Sequence, residues 1–249
     1  MKRGPLTIIF FLISIPIFVN AQDVLPERKD DNLYLSGTRP DLPGILGFDF
    51  GLNYVNDFPG DMKLKWFNSR YFSGYYKFSY TPHSMLSIHP GIAFGGEKFD
   101  FHKDVTLRPG EDSIGNYQTQ LYGLDSLINA TSIKRSQLST AYIEIPLEIT
   151  FRTHSNPKKA FKVTVGGKVG LLIDSKTKIK YRQDGKTKII KDKQNFGLNS
   201  WRFNVIGRIG YGDFSLFYQY SITELFEKNK GPFGTTGHPM TYGISFNLF

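Results

Sequence analysis

Between Tyr142 and Arg152 apolar and polar residues alternate without a miss. Ile143, Ile145, Leu147, Ile149 and Phe151 fall in one phase, and Glu144, Pro146, Glu148, Thr150 and Arg152 in the other. Successive side chains of a strand point to opposite faces, so this strand has one greasy face and one charged face. A helix would scatter the same charges around its circumference. Seven further stretches repeat the pattern: residues 45–54, 71–80, 85–95, 161–173, 201–211, 214–222 and 240–248. In the first, Leu46, Phe48, Phe50, Leu52 and Tyr54 oppose Gly47, Asp49, Gly51 and Asn53; in the last, Tyr242, Ile244, Phe246 and Leu248 oppose Thr241, Gly243, Ser245 and Asn247. Phe217 breaks the alternation in 214–222. Pro90 predicts a bulge or bend in 85–95, and Thr81-Pro82-His83-Ser84 predicts a tight turn.

Eight strands of about ten residues have the length needed to cross an outer membrane at a tilt. The connections separate this from a water-soluble sandwich. Short turns join strands two to three, four to five and six to seven, the last being only Gly212-Asp213. Longer loops join the others, the longest running from Gly96 to Ser139. Short turns at one end and long loops at the other are the habit of transmembrane barrels, whereas a sandwich has no reason to sort its loops. The pattern predicts an all-β, eight-stranded antiparallel up-and-down barrel with its apolar face on lipid and its charges inside. The inward set is Asp49, Glu144 and Glu148 against Lys77, Lys162, Lys168, Arg202 and Arg208. Such charges are tolerable in a barrel only when paired. An eight-stranded interior is just wide enough to be filled by side chains, so a wide pore is not expected.

Composition adds an address. With no cysteine, disulfides, thiolate metal sites, a cysteine nucleophile and a lipidated N-terminal Cys are ruled out. Lys2-Arg3, an apolar run from Leu6 to Val19 and Val19-Asn20-Ala21 read as a secretory signal over residues 1–21, cleaved before Gln22. Residues 22–44 are polar with Pro26, Pro40 and Pro43 and read as a flexible periplasmic lead-in. Residues 45–249 then form the barrel, exported to the outer membrane. Phe249 is out of phase with Phe246 and Ile244, which departs from the usual outward terminal aromatic.

The chain resembles the PorT-like small outer-membrane β-barrel proteins of Bacteroidetes-type bacteria. The resemblance rests on Gly47-Phe48-Asp49-Phe50-Gly51-Leu52-Asn53, Leu86-Ser87-Ile88-His89-Pro90-Gly91, Tyr142-Ile143-Glu144-Ile145-Pro146-Leu147 and the run from Tyr220-Ser221-Ile222-Thr223 to Gly231-Pro232. It implies an eight-stranded barrel in the outer membrane and does not imply an enzymatic activity; some members of the group look like accessory factors for protein secretion across that membrane, and no cofactor is expected.

Three sets of residues invite a chemical reading. Between Asp174 and Asn195 lie Lys176, Lys178, Lys180, Arg182, Lys186, Lys188, Lys191 and Lys193, opposed within the segment by Asp184 and Asp192 alone. This excess makes up most of the chain's formal +9. Asp184-Gly185 centres it as a hairpin turn. It reads either as an anion-binding surface for lipopolysaccharide phosphates, acidic glycans or an acidic protein partner, or as a solvated hairpin whose lysines deter edge pairing. Nucleic acid is excluded by location. Asp112-Ser113-Ile114 and Asp125-Ser126-Leu127 fit an Asp-Ser-apolar O-glycosylation pattern, and Asn129-Ala130-Thr131 fits the N-glycan sequon. Ser87 with His89, or Glu144 with Glu148, would be the residues of a lipid-modifying barrel enzyme, but positions two apart on a strand stand roughly 7 Å from each other. Neither a phosphate-cradling glycine loop nor a metal-binding histidine spacing is present. The reading is a non-enzymatic interaction or accessory protein. The alternatives are the lipid-modifying enzyme and a small-solute channel.

Overall fold

The computed structural model describes residues 44–58, 60–102, 104–128 and 132–248. The expected signal segment, the lead-in as far as residue 43, the Asn129-Ala130-Thr131 sequon and Phe249 lie outside the described residues, while Gly44, expected to end the lead-in, belongs to the first strand. Among the described residues the strands are β1 (Gly44–Asn56), β2 (Arg70–Phe78), β3 (Tyr80–His83), β4 (Leu86–Asp100), β5 (Val105–Glu111), β6 (Tyr117–Gly123), β7 (Ser132–Arg152), β8 (Phe161–Gln183), β9 (Lys186–Lys193), β10 (Trp201–Tyr211), β11 (Phe214–Ser221) and β12 (His238–Asn247). A one-turn helix, α1 (Leu124–Leu127), follows β6.

Eight of these strands close on themselves. β1 pairs with β2 and β12, β2 with β4, β4 with β7 and β7 with β8. β8 pairs with β10, β10 with β11 and β11 with β12, all antiparallel. Each strand of the ring therefore has two neighbours, and no ring edge is left to pair with another chain. The alternation seen in the sequence becomes an inverted protein. Ile209 on the outside is 67% exposed, while Asp49 on the inside is 0% exposed. Phe50, Phe72, Phe94, Ile145, Leu147, Val163, Val165, Leu216 and Ile244 are also exposed on the wall. In water each large side chain so placed would forfeit roughly 1.5–3 kcal/mol relative to burial. Against hydrocarbon it forfeits nothing, as an outer-membrane barrel requires.

Glycine is needed where the narrow interior brings chains close. A Cβ on Gly47 would stand 2.5 Å from Tyr75 Oη, and that hydroxyl lies on the inside, donating to Asn247 Oδ1 at 2.8 Å.

Several local expectations are corrected. Residues 81–83 belong to the short strand β3, paired with β4, and the turn is Ser84-Met85. Pro90 makes no bulge, since the β4–β7 register is the same on both sides of it. The break falls on the neighbouring strand instead: β2 ends at Phe78, and the chain resumes pairing at Tyr80. Phe217 points inward and packs with Tyr71 and Ile206.

The long connections are also less loop-like than expected. β4, β7 and β8 run 15, 21 and 23 residues, well past the 9–11 a crossing needs. All overshoot at the long-loop end, so much of the expected 96–139 loop is strand, with the separate β5–β6 hairpin between. Inside this end sits an apolar cluster that includes Val55, Met62, Phe99, Leu107, Phe196 and Phe226. The loops thus cap the barrel with a small conventional core.

Candidate functional site

Beneath that cap the barrel interior is filled by one charge network. Arg208 from β10 holds Asp49 of β1 in a two-pronged bond, Nη1 to Oδ1 at 2.7 Å and Nη2 to Oδ2 at 2.8 Å. The same guanidinium donates to Glu148 at 3.2 and 3.3 Å and to Ser245 Oγ at 2.7 Å. Lys77 Nζ meets Glu148 Oε2 at 2.8 Å. Lys168 Nζ lies 3.5 Å from Glu144 Oε2 and 3.7 Å from Asp49 Oδ2, and donates to Tyr71 Oη at 3.1 Å. Asn204 Nδ2 donates to Glu144 Oε1 at 3.3 Å.

Three carboxylates therefore face three cations, drawn from five of the eight ring strands. The sequence-predicted set had three acids and five bases. Both surplus bases have another place. Arg202 pairs with Glu97 at 2.6 Å and stacks over the Tyr142 ring at 4.2 Å. Lys162 is half-buried at the short-turn end, where its Nζ donates to Gly212 O at 2.7 Å. Glu97 was missed because it lies in the stretch expected to be loop. The signal available was the phase of residues 85–95, which continues through Glu97 and Phe99 with both inward and buried.

Ser87 Oγ accepts from Arg152 Nη2 at 2.6 Å and shares a hydrogen bond with Thr81 Oγ1 at 3.1 Å. His89 Nδ1 is buried with no partner among the described residues, so Ser87 and His89 do not form a nucleophile–base pair. Glu144 and Glu148 are both engaged by cations.

The lysine-rich segment is a hairpin. β8 and β9 are joined by Asp184 and Gly185, with φ of 53° and 73°, the pair of left-handed residues a two-residue hairpin turn favours. Asp174, at the boundary of the segment, is a further acid: its carboxylate bridges Lys176 at 3.0 Å and Lys193 at 2.9 Å. Lys178 and Lys191 stand directly opposite each other without such a bridge. β7 pairs along the other side of β8, so the hairpin extends the barrel wall.

Register carries the basic surface around that wall. Arg70 of β2 is opposite Lys98 of β4, Lys98 is opposite Ser139 of β7, Ser139 is opposite Lys176 of β8, and Lys176 is opposite Lys193 of β9. The row runs across five adjacent strands on the outer face. A groove of about 550 Å³ follows it, lined by Arg70, Lys98, Lys176, Lys178 and Lys191 above Phe50 and Phe72, with Glu97, itself paired to Arg202, also in its wall. Lysines 180, 186 and 188 and Arg182 lie farther out on the hairpin and do not line this groove. Sequence spacing could not reveal it, because Arg70 and Lys98 join the lysines only through cross-strand register.

Ser113 is exposed at the tip of the β5–β6 hairpin. There Asp112 Oδ1 accepts from the backbone N–H of Ile114 at 2.9 Å and of Asn116 at 2.8 Å. These bonds, that from Asn116 first, hold the Asp112 carboxyl below its usual range. Ser126 is exposed on α1 and donates its hydroxyl to Gly123 O at 2.8 Å.

Among curated proteins, none matches the chain. Among solved structures it is similar to Ail, the attachment invasion locus protein of Yersinia pestis, crystallised with the heparin analogue sucrose octasulfate. The identity is 11%, 83% of this chain and 100% of that chain are covered, and the TM-score is 0.34. A mutant porin of Rh. blastica is similar at 11% identity, over 82% of this chain and 99% of that one, with a TM-score of 0.20. At such scores neither likeness carries an argument about function. The family comparison is firmer: residues 45–227 match the outer membrane protein beta-barrel domain, and the chain belongs to that family of outer-membrane barrels.

Proposed function

We propose that this outer-membrane barrel is a non-enzymatic interaction protein that engages anionic partners, lipopolysaccharide phosphates foremost, through the basic wall at its long-loop end. The observation that carries the reading is the row from Arg70 to Lys193, with Lys178 opposed to Lys191. Like charges directly opposite on neighbouring strands are destabilising, and an anion between them reverses that cost. The row also stands immediately above Phe50 and Phe72 on the outer wall. That is the height at which basic side chains meet lipid headgroups. The long-loop end faces outward by the general rule for such barrels. The resemblance to the PorT-like group supports an accessory role for the same surface. The charge network across the interior and the apolar cap weigh against a solute channel.

The test is the phosphorus content of glycolipid that co-purifies with the barrel from outer membranes. The fourfold variant K98Q/K176Q/K178Q/K191Q should retain a small fraction of the wild-type amount while folding normally. Undiminished co-purification overturns the reading. Lipid A mass spectra should be the same with and without the protein; a modified species would instead favour an enzyme.

A further inference from the structure

The other end of the barrel holds a second, separate basic chamber. Below the layer of Lys77, Glu148 and Arg208 lies a cavity of about 540 Å³, walled by ring strands and floored by residues of the short turns such as Asn156, Lys158 and Asp213. Its size falls in the range of small-molecule pockets. Five cations and two carboxylates line it. Arg208 and Lys77 are already engaged by Asp49 and Glu148, so Arg152, Lys158 and Lys162 stand against Asp213 alone among the lining carboxylates, a surplus of two. Among the described residues none of these three forms an ion pair. Arg152 spends Nη2 on Ser87 Oγ and Lys162 spends Nζ on a backbone carbonyl. Two polar atoms of lining residues, Arg152 Nε and His89 Nδ1, are buried with no partner. His89 itself is only 5% exposed. Buried polar atoms are rarely left unmade, and each such exception asks for an explanation.

We infer that this chamber is a binding site, entered from the short-turn end, for a compact polyanion such as a phosphorylated or polycarboxylated small molecule. Arg152 would present its fork to the anion, and Lys158 and Lys162 would close on it from the rim. The charge network above is the chamber's roof, so the ligand is held and not passed through. The site is independent of the basic outer wall.

Isothermal titration of the full-length barrel in detergent at low ionic strength, with citrate and separately with inorganic phosphate, tests the inference. Saturable binding at one site per chain is expected for at least one anion. Citrate alone identifies a polycarboxylate site, phosphate alone a phosphoryl site, and both the shared polyanion chemistry. R152Q and K162Q should each weaken binding at least tenfold. K158Q, on an exposed turn where folding is not at stake, should weaken it severalfold. K178Q/K191Q at the far end should leave it unchanged. No saturable heat with either anion, or a loss that follows the far-end variant and not Arg152, Lys158 and Lys162, overturns the inference.

Discussion

Replacing Arg208 by glutamine removes the keystone of the interior. The side chain donates to Asp49 at 2.7 and 2.8 Å, to Glu148 at 3.2 and 3.3 Å and to Ser245 at 2.7 Å. Asp49 and Glu148 are 0% and 1% exposed, so losing the guanidinium leaves two buried carboxylates short of a partner. Asp49 keeps Ser245 at 2.6 Å and Lys168 at 3.7 Å, and Glu148 keeps Lys77 at 2.8 Å. A network of three against three becomes three against two. Removing one partner of a buried pair costs about 3–5 kcal/mol. The retained partners prevent the larger sum that five charge-assisted bonds at roughly 1.5–3 kcal/mol each would suggest. We therefore expect R208Q to lose about 3–5 kcal/mol in urea unfolding from detergent micelles, followed by tryptophan fluorescence. The double variant D49N/R208Q should lose less than the sum of its singles, with a coupling of at least about 1 kcal/mol. A loss within about 0.5 kcal/mol for R208Q, or strict additivity in the double variant, would refute the idea that the network holds the barrel interior.

Two further outcomes follow from single positions. G47A brings a Cβ to 2.5 Å from Tyr75 Oη and should cost about 1–3 kcal/mol by overpacking, whereas G207A, with nothing within 4 Å of its added Cβ, should be near neutral in the same unfolding assay. At the β5–β6 tip, backbone donors hold the Asp112 carboxyl low, so its contribution is present above the ordinary aspartate range and is lost as pH falls through the lowered value. The Ile114 and Asn116 amide proton resonances should therefore hold steady near neutrality and move only well below pH 4, and D112A should abolish that titration; movement at pH 5 to 6 would contradict it.

The ring itself was legible because a strand's period of two is the strongest pattern a sequence can carry, and eight copies of it with sorted loop lengths leave few architectures. Most of the interior network was legible for the same reason: phase alone puts Asp49, Glu148, Lys168 and Arg208 inside. Three things were not. Glu97 was lost because the pattern reads as strand only to residue 95 and as loop from Gly96, while in the fold the strand continues to Asp100. The apolar cap was hidden because Met62, Phe99, Phe196 and Phe226 come from four distant segments with no shared period. The basic row was hidden because Arg70, Lys98 and Lys176 are brought level only by pairing register, which a single sequence leaves open. Phe217 stood out as an exception to the phase, and its place beside Tyr71 and Ile206 explains it.

The account turns on which face of each strand meets lipid. The chain has no cysteine, so single cysteines carrying a nitroxide can be walked along β8 from Val163 to Leu171 in reconstituted bilayers and their collision rates with oxygen measured. Labels at Val163, Val165, Val169 and Leu171 should collide freely with oxygen dissolved in the hydrocarbon, and labels at Thr164, Lys168 and Gly170 should be shielded, giving a period of two. Shielding at the valines with free access to a water-soluble relaxant at Thr164 and Lys168, or no period at all, would contradict it.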